Sequence, residues 1–256
     1  MKTFTTRVVA VSGAIAISLG AAACSKSETP ATGTSSSASA SASTPAGTTS
    51  STTTPSSNGS QASDILDKAK TNALAATSAV FVGDVEQGGK KISIDFKGTS
   101  DGKTSDITIA MEGSGKARLI TLPDGVYIQA NSTFWKKQGA PASVQKAGDK
   151  FIKAPASASS MTDSLSLKSF LEKAFGAVTP SQLSSTVAEE NVNGTDCWVL
   201  TDKKGKSEGA LYVSKDKLEV VRFTGSTKSP GQLDFSKWGE DLGIKAPAAN
   251  QIMSIG

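Results

Sequence analysis

The sequence predicts an α+β domain in which a long antiparallel sheet carries helices on one face. Three observations predict it. Apolar and polar residues alternate strictly in short runs joined by turns of two to four residues, the mark of an antiparallel meander with one covered and one wet face. Two other stretches place apolar residues at helical spacing. The order is helix, meander, helices, meander, and this segregation belongs to α+β proteins rather than to alternating βαβ units.

The first predicted helix opens at Ser63, a suitable N-cap, with Asp64 and Asp67 in its first turn. Ile65, Leu66, Ala69, Ala73 and Ala76 fall on one side, and so many alanines let the helix lie close to its partner. Val80 to Val85, Lys91 to Lys97, Asp106 to Glu112, Lys116 to Leu122 and Val126 to Gln129 read as strands, separated by Gln87-Gly88-Gly89, Asp101-Gly102, Gly113-Ser114-Gly115 and Pro123-Asp124-Gly125. Ile92, Ile94, Phe96, Ile107, Ile109 and Met111 then share the covered face. Thr133 to Lys136 continues the meander in this reading. Residues 139–163, rich in Ala, Ser and Lys with Pro141 and Pro155, read as a loop or flap.

The clearest helix follows. Leu167, Phe170, Leu171, Ala174 and Phe175 stand at i, i+3, i+4, i+7 and i+8, with Ser164 or Ser166 as cap and Gly176 at the end. Thr179-Pro180-Ser181-Gln182 has the form of a second, short helix start. Strands are again expected at Thr186 to Asn191, Asp196 to Asp202, Gly209 to Ser214, Leu218 to Thr224 and Gly231 to Phe235, with turns at Asn193-Gly194, Lys204-Gly205 and Lys215-Asp216.

Ahead of this domain, residues 62–256, the chain changes character. Lys2 and Arg7 precede an apolar run from Val8 to Leu19 and the small residues Gly20 to Ala23. The run is shorter than the ~20 residues that span a bilayer, so residues 1–23 read as an export signal. Ala21-Ala22-Ala23-Cys24 resembles a bacterial lipobox, with Ala21 where Leu is usual. The resemblance implies a diacylated Cys24 as the mature N-terminus. Two acyl chains suffice for stable anchoring. An ordinary secretory signal followed by an unmodified cysteine is the alternative. Ser25 to Gln61 is almost wholly Ser, Thr, Ala, Pro and Gly, without an aromatic or large aliphatic residue, so residues 24–61 are expected to be a disordered tether. A flexible chain of that length spans roughly 35 Å.

Composition narrows the chemistry. Removing Lys2 and Arg7 lowers Lys+Arg from 27 to 25 against 23 Asp+Glu, a net +2 that does not argue for nucleic acid. The chain has no histidine, which excludes Ser-His-Asp and Cys-His catalysis and most zinc sites. Ser-x-x-Lys occurs at Ser100, Ser143 and Ser214, but none opens a clear helix and no Lys-Thr-Gly accompanies them. Glu189 and Glu190, adjacent on a strand, point to opposite faces. With Cys24 acylated, Cys197 has no disulfide partner and reads as a small buried hydrophobe. No enzyme, metal or cofactor is expected.

The chain resembles the LolA-like superfamily and, within it, the LppX/LprG-type bacterial lipoproteins. The residues that carry the resemblance, beyond the lipobox, tether and opening helix, are Asp124-Gly125-Val126-Tyr127, Phe134-Trp135, Asn193 to Trp198, Leu211-Tyr212-Val213-Ser214, Leu233 to Gly239 and Ile244-Lys245-Ala246-Pro247, in that order. The resemblance implies a strongly bent antiparallel half-barrel with helices on its concave face. In several members the space between sheet and helices takes acyl chains. Here the lining would be Ile94, Phe96, Ile109, Met111, Ile120 and Ile128, with Phe170 and Leu171 from the lid helix. Two readings of function stay open. In one, a monomeric lipoprotein, anchored to the outer face of the cytoplasmic membrane, binds or carries an apolar or amphipathic ligand. In the other, a lipoprotein with a filled core acts through its surface on cell-envelope partners.

Overall fold

Asn58–Ala75 forms α1, which begins ahead of the expected cap at Ser63. Ala62 explains the difference: it is buried in the core, so packing extends the helix by a turn into what composition assigned to the tether. The structure is a computed structural model and describes residues 58–154 and 165–253. The expected signal, Cys24 and nearly all of the tether lie outside the described residues.

Five strands follow α1: β1 Ser78–Gln87, β2 Lys90–Thr99, β3 Ser105–Met111, β4 Gly115–Leu122 and β5 Gly125–Ala130. Each pairs antiparallel with the next. The chain then turns helical where a strand was expected. Ser132–Lys137 forms α2 because the Asn131 side chain accepts the Phe134 N–H at 3.0 Å, and this cap outweighs the β preference of Thr133, Phe134 and Trp135. A four-residue helix α3, Ala142–Gln145, and a short strand β6, Phe151–Lys153, occupy part of the segment read as a loop.

After the lid helix α4, Leu167–Gly176, the second meander runs through β7 Ala188–Val192, β8 Thr195–Asp202, β9 Gly205–Ser214, β10 Val220–Ser226 and β11 Ser229–Ser236. Ser166 caps α4 as expected, accepting the Ser169 N–H at 3.2 Å. The closing strand β12, Ile252–Met253, pairs parallel to β6.

Among the described residues these make one twelve-stranded sheet in the order β12-β6-β5-β4-β3-β2-β1-β11-β10-β9-β8-β7. The two meanders meet at its centre, where β11 pairs with β1. The sheet is curled and unclosed, as the α+β half-barrel expectation requires. The register places Ile92 opposite Met111, Ile94 opposite Ile109 and Phe96 opposite Ile107, so these six share one face, as alternation predicts.

That concave face carries the main core, to which α1 contributes Ala62, Ile65, Leu66, Ala69 and Ala73, and α4 contributes Leu167, Leu171 and Phe175. A second core under α2 gathers Leu119, Val126, Ile128, Trp135 and Ile152. On the opposite face, Ile120, Tyr127 and Phe151 are covered by Ile244 and Ile252 of the C-terminal segment. That segment leaves the sheet centre at Trp238, whose ring stacks on Phe235 and whose Nε1 donates to the Val220 carbonyl at 2.9 Å.

Candidate functional site

The concave face differs along its length. At one end the space between sheet and helices is filled by aromatic rings. Phe81 lies 4.6 Å from Phe96, 4.5 Å from Phe170 and 5.1 Å from Phe235, centroid to centroid. Val213 and Val220 are fully buried in the same core. At the other end, toward the β8–β9 and β10–β11 hairpin tips, there is a cavity of about 200 Å³, partly open to solvent.

Its inner wall is apolar: Leu66 of α1, Ile94, Leu200, Leu211, Phe223 and Leu233 of the sheet, and Phe170 and Ala174 of α4. Two features of the sequence make the space. Ala174 in the lid helix and Ala177 just past its end present a low surface to the sheet. Gly209, Gly225 and Gly231, on neighbouring strands, give the floor bare backbone. A Cβ on Gly209, at φ +106°, would stand 2.9 Å from the Thr224 carbonyl oxygen, and one on Gly231 would stand 2.9 Å from the Asp84 carbonyl oxygen. The strands therefore approach more closely there than side chains allow.

The rim is polar. Pro180 begins a one-turn 3₁₀ helix, Pro180–Gln182, where the short helix was expected. The Lys203 N–H donates to the Gln182 carbonyl at 3.0 Å and the Ser184 N–H to that of Thr201 at 2.8 Å, so this turn is laced to the end of β8. Thr179, Gln182, Asp202 and Ser229 are among the polar lining residues. The Gln182 Oε1 is buried and has no hydrogen-bond donor among the described residues.

The structure brings together two of the eight residues expected in the lining, Ile94 and Phe170. Phe96 and Leu171 are deep in the filled core, and Ile109 packs at its edge. Met111 lies beside a shallow surface depression at the β3–β4 turn. Ile128 belongs to the core under α2. Ile120 faces the opposite side of the sheet, since its neighbours Leu119 and Thr121 take the concave positions opposite Ile128 and Val126. Most of the lining comes from the second meander, which the sequence reading left out. The signal there was the run of glycines at 209, 225 and 231, which reads as turn punctuation until the register is known.

Among the described residues no three His, Cys, Asp or Glu side chains are grouped as metal ligands. Cys197 is buried on the other face, and burial pushes its thiol up from the ordinary range, which disfavours the thiolate. Among the described residues no helix is long and apolar enough to cross a membrane.

No protein-family model matches the sequence, and no curated protein matches it. The chain is similar in structure to the lipoprotein LppX of Mycobacterium tuberculosis, at 12% identity and a TM-score of 0.44, over 73% of this chain and 99% of that one. It is also similar to LprF from Mycobacterium bovis, at 14% identity and a TM-score of 0.49, over 76% of this chain and 100% of that one. An uncharacterized conserved protein from Thermus thermophilus is similar at 13% identity and a TM-score of 0.36, over 75% of this chain and 97% of that one.

Proposed function

We propose that this chain is a lipoprotein, held by an acylated Cys24 at the outer face of the bacterial cytoplasmic membrane, that binds or carries an apolar or amphipathic ligand without chemical conversion. The observation that carries the reading is the cavity between α4 and the second meander. Its inner wall is apolar, and an apolar cavity of even ~150 Å³ stays dry and accepts an apolar guest. A volume of about 200 Å³ matches one short chain or the end of a longer one. It lies below the ~300 Å³ at which pockets for drug-sized ligands begin. A flexible tether over residues 24–57 would hold the domain at a typical distance of roughly 30 Å from the membrane from which acyl chains would come.

Native mass spectrometry of the purified chain tests the holder reading. A co-purifying apolar ligand, or uptake of an apolar dye with 1:1 stoichiometry, is the expected result. A bare mass with no dye uptake sinks it and favours the filled-core, surface-acting alternative. For the anchor, Cys24→Ala is expected to release the protein from membranes into the medium, and retention after a high-salt wash argues against acylation.

A further inference from the structure

The hairpin tips on the two rims of the sheet differ in charge. The strand order sets the β3–β4, β1–β2, β10–β11 and β8–β9 tips in series along one rim, the rim at which the cavity lies. Each of these tips carries exposed lysine: Lys116, Lys90, Lys228, and Lys203 with Lys204. The ion pairs of this rim join Lys91 to Asp84 and Lys206 to Glu190, and leave those five lysines outside them. Four acids stand near them. Glu112 is exposed in the β3–β4 turn, Glu86 lies opposite Lys91 in the register, Glu208 is half-buried, and the Asp202 carboxylate accepts the Lys204 N–H at 2.8 Å. The opposite rim is built differently. Its turns expose Asp124 between β4 and β5, Asp101 between β2 and β3, Asp216 between β9 and β10, and Glu240 and Asp241 after β11. Lysines there are interleaved with the acids: Lys103 pairs with Asp101, Lys217 follows Asp216, and Lys237 precedes Glu240.

The chain also enters the domain from the lysine rim. Leu66, in the first half of α1, lines the cavity. Asn72, near the other end of α1, donates to the Lys217 carbonyl at 3.0 Å on the acidic rim. The start of α1 at Asn58, where the tether joins, is therefore on the lysine side. An anionic bilayer attracts lysines held near its surface, within a screening length of about 10 Å at 0.1 M salt. Tips in series along one edge meet such a surface together. We propose that the lysine rim docks on an anionic lipid bilayer and sets the cavity against the membrane surface. The purpose of such docking rests on the holder reading above; the docking itself is measured separately.

Co-sedimentation with vesicles tests it, using the mature chain, residues 24–256, with Cys24→Ala to remove the acylation site. One set of vesicles is phosphatidylcholine alone, and the other is equal parts phosphatidylcholine and phosphatidylglycerol. Binding to the anionic set is expected to be roughly tenfold tighter or more. Raising salt from about 0.1 M to about 1 M, which shortens the screening length to about 3 Å, is expected to abolish the difference. Lys203→Glu with Lys228→Glu is expected to weaken anionic binding roughly tenfold. Lys217→Glu with Lys237→Glu, the same change of net charge on the opposite rim, is expected to stay within about twofold of the parent. Both variants are expected to keep the uptake of an apolar dye. Equal binding of the parent to the two sets, equal losses in the two variants, or binding to soluble polyglutamate without binding to vesicles overturns the docking rim. Dye uptake by the parent leaves the holder reading standing in each of those cases, and its absence overturns that reading whatever the vesicles show.

Discussion

The filled and hollow ends of the concave face are built from the same strands. On β9 the inward side chains run Val213, Leu211, Gly209, and on β11 they run Phe235, Leu233, Gly231. On β10 Phe223 is followed two residues on by Gly225. Each strand starts as core wall and ends as cavity floor within two or three inward positions. Above them, α1 sets Ala69 and Ala73 against the filled end and Leu66 against the hollow one, and α4 brings Phe170 and then Ala174. The fold therefore does not by itself decide between a packed core and a binding space. A gradient of side-chain volume along a few strands decides it.

The largest effect that would test this contrast is at the filled end. Phe81 touches three rings and is 2% exposed. Phe81→Ala removes all three contacts at once and is expected to cost about 3–5 kcal/mol, read by urea denaturation. A cost below about 1 kcal/mol would mean that this end is as loosely packed as the other.

A matched pair of alanines separates the two ends next. Ala69 of α1 is fully buried against the sheet, whereas Ala174 faces the cavity from α4. Ala69→Leu has no space to fill and is expected to destabilise by about 1–3 kcal/mol. Ala174→Leu places its added carbons in the cavity. It is expected to leave stability within about 1 kcal/mol of the parent and to reduce dye uptake severalfold. Equal destabilisation at both sites would remove the distinction between core and cavity.

How much of this was legible in sequence follows from the same gradient. Alternation identified the strands, and helical spacing identified α4 with its cap at Ser166, because these depend on nearest neighbours. The covered face of β2 and β3 was legible too, since period two fixes it once one residue is placed. The reading failed where partners distant in sequence decide. Leu119, Ile120 and Thr121 gave no clear alternation, because the C-terminal segment covers Ile120 from behind and makes both faces of β4 apolar. The cavity was assigned to the first meander for its isoleucines, when the space is made by what the second meander lacks. An absent side chain leaves no periodic signal. Gly209, Gly225 and Gly231 acquire meaning only when β9, β10 and β11 lie side by side.

A smaller effect is expected where the filled end is closed by the C-terminal segment. Trp238→Phe keeps the stack on Phe235 and deletes the hydrogen bond to the Val220 carbonyl. The expected cost is about 1 kcal/mol. A loss of several kcal/mol would mean that the segment as a whole detaches, which hydrogen exchange at Ile252 and Met253 would show as lost protection.

The smallest effect concerns acid, on the outer side of the hollow end. Asp84 in β1, opposite Gln232 of β11, accepts a hydrogen bond from the Ser93 hydroxyl of β2 and lies 3.0 Å from the Lys91 ammonium. The Ser93 hydrogen bond, with Lys91 second, holds the Asp84 carboxyl below its ordinary value of 3.8. A carboxyl that is more acidic folded than unfolded contributes stability above the unfolded value and loses it as pH falls through the lower, folded one. The contribution is therefore complete near neutrality and fades only below about pH 3.8. Both partners are largely exposed, so solvent screens most of the pair. Ser93→Ala is expected to lower the thermal midpoint slightly at pH 7, within the ~0.5 kcal/mol usual for surface changes, and to flatten its fall between pH 4 and 2. The same fall in parent and variant would mean that this end of the sheet is not pinned by Asp84. The ladder hydrogen bonds of β1 with β2 and β11 would then hold the strands together there without help from the pair.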